Sequence, residues 1–246
     1  MGEVLLLLMS QVLVLGSCTV EKRMPPNQPR RTLVLLPGWN YPRTSWCDSS
    51  RVCSEALRRG YQLLLFEMGK SIYASTTFPE TRPDWRVYPT LRTLLDTVFP
   101  TLEREGWLMP ERSFIMGLST GGRGVVMVLA HTGRLFRAGA ALSGDFDPHL
   151  NTRDPLLTGW YGRYSQRWDE VDNPLRLVQR IQVPLFLAHG VADGVVPYQH
   201  SLHLYETLQK RRPDLLCLLR LDPTGKHDFG FWEKYAIEAL DFFEAL

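Results

Sequence analysis

Short, unbroken apolar runs alternate with longer amphipathic stretches over most of this chain. Residues 32–36, 62–66, 113–116, 138–142, 184–188 and 215–221 read as strands, and their near-continuous hydrophobicity is what a strand buried on both faces shows. Between them, residues 47–59 (closing at Gly60), 88–105 (interrupted at Pro100), 123–131, 201–210 and 232–246 carry helical periodicity. Strands and helices alternating at this interval predict an α/β fold: a mostly parallel, doubly wound sheet with helices on both faces, in one domain over residues 32–246.

Two stretches break the rhythm. Residues 69–86 form a long polar and aromatic loop with Tyr73, Phe78 and Trp85, and residues 147–173 carry Trp160, Tyr161, Tyr164 and Trp168 without a clear period. Both are long for connections, which points to walls of a binding site, the second a small lid-like insertion; the competing reading is a surface insertion packed on itself. Tyr73, Trp160 and Tyr161 are the candidate substrate-binding residues. Gly69-Lys70-Ser71 resembles the end of a phosphate loop, but Leu64 stands where the upstream glycine belongs.

With 246 residues, 44% of them hydrophobic and 22% charged, the chain suffices for one sizeable core. A formal net charge of +2, spread thinly, leaves no basic face and excludes a nucleic-acid partner. No His or Cys spacing suggests a zinc or other metal site. Of the four cysteines, Cys217 lies in an apolar run and reads as a small buried hydrophobe, while Cys47 and Cys53, six apart, are a disulfide candidate in an oxidising compartment.

The chemistry is concentrated at Gly117-Leu118-Ser119-Thr120-Gly121. This Gly-x-Ser-x-Gly follows a strand and opens a helix, the setting of a nucleophile elbow, in which flanking glycines let strand and helix approach while the serine is held clear of the sheet. The helix N-terminus beside Ser119 favours developing negative charge. Asp193 lies in a Gly-bounded loop just beyond a strand end, placed to accept from an imidazole, and His227 alone among six histidines follows the last strand in a polar, glycine-containing loop. His189, ending a strand before a tight turn, reads as structural. Ser119, Asp193 and His227 then form a nucleophile, acid and base in that chain order, with the backbone N–H groups of Trp39 and Thr120 as the oxyanion hole.

The chain from about residue 32 resembles the α/β-hydrolases, and residues 117–124 with 142–148 resemble their esterase D-like group. That resemblance implies cofactor-free hydrolysis of a small-molecule carboxylic ester through an acyl-enzyme on Ser119. Two departures, Thr120 where Met is frequent and Pro37 where His is common, leave the acyl and alcohol preference open. A thioesterase or acyltransferase can use the same triad. A prolyl-oligopeptidase-type peptidase would bring a large gating domain for which the chain has little room, and a non-catalytic binding lipoprotein would have no need of an intact triad. At the N-terminus, the apolar run 4–15 followed by Leu15-Gly16-Ser17-Cys18 resembles a bacterial lipobox, although Glu3 stands where a basic residue is usual. It implies a signal segment over 1–18, lipid attachment at Cys18, a Pro-rich tether over 19–31 and residence in the cell envelope, with the membrane touched only through that anchor; the alternative is a cytoplasmic protein. The pattern does not give an oligomeric state.

Overall fold

Every second residue of the central strands faces one of two separate cores, which is why their sequences show no polar alternation. In the computed structural model, which describes residues 10–85 and 89–246, the chain forms an eight-stranded sheet in the order β1-β2-β4-β3-β5-β6-β7-β8, with strands at Gln11–Leu15, Cys18–Arg23, Arg31–Leu36, Tyr61–Glu67, Ser113–Leu118, Ala138–Leu142, Leu185–Gly190 and Cys217–Asp222. Strands β3 to β8 are parallel; β1 and β2 form an antiparallel hairpin added through β2 to β4. Val34, Leu36, Leu64, Phe66 and Ile115 face the core closed by α3 (Thr90–Thr93), α4 (Phe99–Arg104), α5 (Thr120–Thr132) and α9 (Gln199–Arg211). Their neighbours Leu33, Leu35, Leu63, Leu65 and Phe114 face α1 (Ser45–Asp48), α2 (Val52–Arg58) and α10 (Phe229–Glu244) on the other side. Burying such side chains contributes about 1.5–3 kcal/mol each.

The strands fall where the hydrophobic runs put them, and the helices depart in two places. Residues 47–59 hold two short helices, with a break at residues 49–51 and a disulfide joining Cys47 to Cys53 across it. Pro100 does not interrupt its helix: the turn Leu94–Val98 before it is a π-helix, whose wider spacing accommodates a proline that has no N–H to donate. The start of that predicted helix, Tyr88, lies outside the described residues.

The N-terminal segment differs most from its reading. Residues 18–23, expected to end a signal and begin a tether, form β2, paired with β4 over five residues. Cys18 is sealed in the core, where burial and then the Glu67 charge push its thiol up to about 12, so in this fold its sulfur is not accessible to an acyl group. Residues 11–15 form β1, with Leu13 and Leu15 packed inward and Val12 and Val14 exposed; the earlier part of the apolar run lies outside the described residues. Among the described residues no helix is long and apolar enough to cross a membrane.

Candidate active site

The elbow is built by the absence of side chains. Ser119 sits between β5 and α5 with φ of +54° and ψ of −126°, a conformation that costs a non-glycine residue on the order of 1–3 kcal/mol. A β-carbon at Gly117 would lie 2.2 Å from the Gly121 carbonyl oxygen, and one at Gly121 would lie 2.5 Å from the carbonyl oxygens of Leu36 and Pro37. Glycine at both positions therefore lets β5, α5 and the end of β3 converge under the serine. The neighbouring strand holds the turn in place, Ser119 N–H donating to the Leu142 carbonyl at 2.8 Å.

Two loops at the same edge of the sheet, after β7 and β8, bring the partners in. Gly190 ends β7 and Gly225 follows β8; a β-carbon at Gly190 would lie 2.1 Å from the Gly225 carbonyl oxygen, so these loops meet backbone to backbone. That contact sets Asp193 and His227 side by side. His227 Nδ1 lies 2.7 Å from Asp193 Oδ2, and His227 Nε2 lies 3.1 Å from Ser119 Oγ. The Asp193 side chain is wholly buried. Burial alone would raise its pKa, but hydrogen bonds from His189 and His227 and from the Val196 N–H hold the carboxyl well below the ordinary range, so it faces His227 as a carboxylate. Its other oxygen accepts from the Val195 and Val196 N–H groups at 2.8 and 2.9 Å. A carboxylate, an imidazole and a hydroxyl in this order can fix the ring tautomer and draw the proton from Ser119.

The loop after β3 completes the approach. A β-carbon at Gly38 would lie 3.3 Å from Ser119 Cβ, which sets the following residue, Trp39, beside the nucleophile. No backbone carbonyl among the described residues accepts from the N–H of Trp39 or of Thr120, the first residue of α5. Two buried side chains fix this strand end: Trp46 Nε1 donates to the Leu36 carbonyl at 3.1 Å and Tyr73 O–H to the Pro37 carbonyl at 3.0 Å.

The three aromatic residues nominated for substrate contact are placed differently. Tyr73, Trp160 and Tyr161 are buried, and none presents its ring to an open surface. Tyr73 packs on α5, where a β-carbon at Gly124 would lie 2.6 Å from its ring. Trp160 and Tyr161, on α6 (Pro155–Tyr161), join Ile72, Trp85 and Trp168 of α7 (Arg167–Glu170) in a third, small core. The insertion is thus packed against the 69–85 loop, and Trp39 reaches its edge by an edge-on contact with Trp85 at 4.5 Å.

Several residues at the site gave no signal in the sequence. Arg123, one turn into α5, is buried and donates to the Asp172 carbonyl at 2.5 Å and to Asp145 Oδ2 at 3.3 Å, tying elbow, insertion and the loop after β6 together. Asp172 Oδ2 in turn accepts from Tyr161 O–H and the Ser75 N–H. An aromatic series links the rim to the base: Tyr41 stacks on Phe229 at 6.0 Å, Phe229 meets Trp232 edge-on at 5.0 Å, and Trp232 meets the His227 ring edge-on at 4.9 Å. Their periodicity as core or loop residues hid that adjacency. A groove of about 680 Å³ bounded by Phe136, Val183 and Pro184 lies at the opposite ends of the strands, away from Ser119. Among the described residues no group of three or more His, Cys, Asp or Glu side chains is placed to hold a metal ion.

This sheet, with a serine on a strained turn after β5 and an acid and a histidine after β7 and β8, is the α/β-hydrolase fold. The chain superimposes on fluorophosphonate-binding serine hydrolase F (FphF) of Staphylococcus aureus with a TM-score of 0.77 at 18% identity, covering 95% of this chain and 96% of that one. An S-formylglutathione hydrolase from Agrobacterium tumefaciens gives 0.75 at 16% identity over 95% and 92% of the two chains. An acylaminoacyl peptidase from Pyrococcus horikoshii gives 0.70 at 15% identity, over 96% of this chain but 41% of that one. Residues 97–244 match the prolyl oligopeptidase family, Peptidase_S9, and the chain belongs to that family. Among curated proteins, the uncharacterized protein YfhR of Escherichia coli (strain K12) is 29% identical over 126 residues, 51% of this chain and 42% of that protein.

Proposed function

We propose that this serine hydrolase cleaves carboxylic esters through an acyl-enzyme on Ser119. The observation that carries the reading is the unbroken series of contacts from Asp193 through His227 to Ser119. Ser119 Oγ attacks the ester carbonyl as its proton passes to His227 Nε2; Asp193 stabilises the imidazolium; the N–H groups of Trp39 and Thr120 receive the oxyanion. The proton then goes to the leaving alkoxide, and a water activated by the same imidazole releases the acid. No cofactor enters this scheme. An ester needs less help for its leaving group than an amide does, which makes it the least demanding substrate for these groups.

Peptide or acyl-amino-acid cleavage is the second reading, favoured by the family match and by the likeness to an acylaminoacyl peptidase. Thioester cleavage would use the same groups. Export from the cytoplasm fits the Cys47–Cys53 disulfide, which persists in oxidising compartments; a lipid on Cys18 would further require β2 to leave the sheet.

The test is hydrolysis of p-nitrophenyl esters from acetyl to long acyl, beside acyl-aminoacyl p-nitroanilides, with wild-type protein and Ser119→Ala. Ester turnover that vanishes with Ser119 supports the proposal, and its chain-length profile sizes the pocket. Turnover of anilides in preference to every ester would replace it with the peptidase reading. Folded protein that neither turns over substrate nor labels with a fluorophosphonate would make it a binding module.

A further inference from the structure

We infer that His189 is a positioning residue for the acid, a second imidazole that holds Asp193 Oδ2 where His227 Nδ1 meets it; the inference rests on the hydrolase reading of Ser119, Asp193 and His227. His189 belongs to β7, four residues before Asp193, and its side chain is wholly buried. Its Nε2 lies 2.9 Å from the Val196 carbonyl oxygen and 3.4 Å from Asp193 Oδ2, and its Nδ1 lies 2.7 Å from Ser201 Oγ on α9.

These partners fix the ring's protons. A carbonyl oxygen can only accept, so Nε2 carries a hydrogen, directed at Val196 and placing its positive end beside Asp193 Oδ2. In the neutral ring Nδ1 is then the acceptor, and Ser201 O–H donates to it. One buried ring therefore ties the start of the acid loop, its far end at Val196 and helix α9 to a single point.

The Asp193 carboxylate is thereby surrounded by donors. Oδ1 takes the Val195 and Val196 N–H groups, and Oδ2 takes His227 Nδ1–H, with His189 Nε2 3.4 Å away. The two backbone donors belong to the loop itself and move with it. His189, rooted in the sheet, is the donor that relates the carboxylate to the rigid frame. A misplacement of about 1 Å in such a constellation can cost on the order of 100-fold in rate.

The test compares His189→Leu, which removes both ring contacts, with His189→Gln, which restores an N–H donor, and with Ser201→Ala, which cuts only the link to α9. Each is read in folded protein by kcat and KM, by fluorophosphonate labelling rate and by the downfield proton resonance of His227 Nδ1–H, identified by its loss in His227→Ala. The inference predicts that His189→Leu lowers kcat and labelling rate about 10- to 100-fold with KM changed less than threefold, and shifts or removes the downfield proton. His189→Gln should recover much of both, and Ser201→Ala should retain most. A His189→Leu protein with an unmoved proton resonance, or with kcat lowered only by its unfolded fraction, overturns the inference. The resonance is independent of turnover, so a wild-type protein that fails to label sinks the hydrolase reading while the proton still decides whether His189 orients the acid.

Discussion

The elbow and the insertion are tied together through Arg123 yet obey different rules. Around Ser119 the backbone itself is crowded: carbonyl oxygens of residues 36, 37 and 121 occupy the space where β-carbons would stand, so glycine is required at fixed spacing. Around Trp160 the side chains do the work, in a cluster of Trp85, Leu157, Trp160, Tyr161 and Trp168 that many apolar sequences can fill. Backbone crowding leaves a readable motif, whereas side-chain packing of this kind leaves only composition.

Replacing Ser119 by Ala should do the most damage to one half of the comparison and none to the other. Ester turnover should fall by on the order of 1,000-fold or more while urea unfolding stays within about 1 kcal/mol of wild type. Trp160→Ala should do the reverse, destabilising by about 3–5 kcal/mol in urea unfolding while kcat/KM of the folded fraction changes less than about tenfold. A larger catalytic effect would mean that the insertion shapes the site directly. Gly121→Ala joins the halves, because a methyl there must displace the end of β3; it should cost at least about 3 kcal/mol and lower the labelling rate as well.

The smallest effect concerns pH. Burial, opposed by the Arg123 charge, pushes the Asp145 carboxyl up to about 6, against 3.8 for a free aspartate. The folded protein thus holds this proton more tightly than the unfolded chain. The stability it contributes is present in full below about pH 3.8 and is lost as pH rises through about 6. Relative to wild type, Asp145→Asn should therefore lose less stability between pH 4 and 7, by on the order of 2 kcal/mol. Parallel stability curves for the two proteins would contradict the assignment.

Much of the fold was legible because strands buried on both faces are short unbroken apolar runs, and all six parallel strands were found from them. The hairpin of β1 and β2 was not, since residues 11–15 continue an apolar run that reads as a leader, and pairing with β4 is a long-range fact. Ser119, Asp193 and His227 were nominated from loop positions at strand ends, and the fold brings all three within hydrogen-bonding distance. Tyr73, Trp160 and Tyr161, expected to form a substrate wall as aromatic residues in long loops, are buried in the structure, because composition does not say which way a ring points. His189 and Arg123 were passed over because each acts through a neighbour defined only by the tertiary structure.

The most direct test of the central claim is intact-protein mass spectrometry after incubation with a fluorophosphonate, run on wild type, Ser119→Ala and His227→Ala. The account predicts one adduct on wild type, mapping to the peptide that contains Ser119, none on Ser119→Ala, and labelling slowed by orders of magnitude on His227→Ala. An adduct that forms equally fast on His227→Ala, or that maps to another residue, would contradict it.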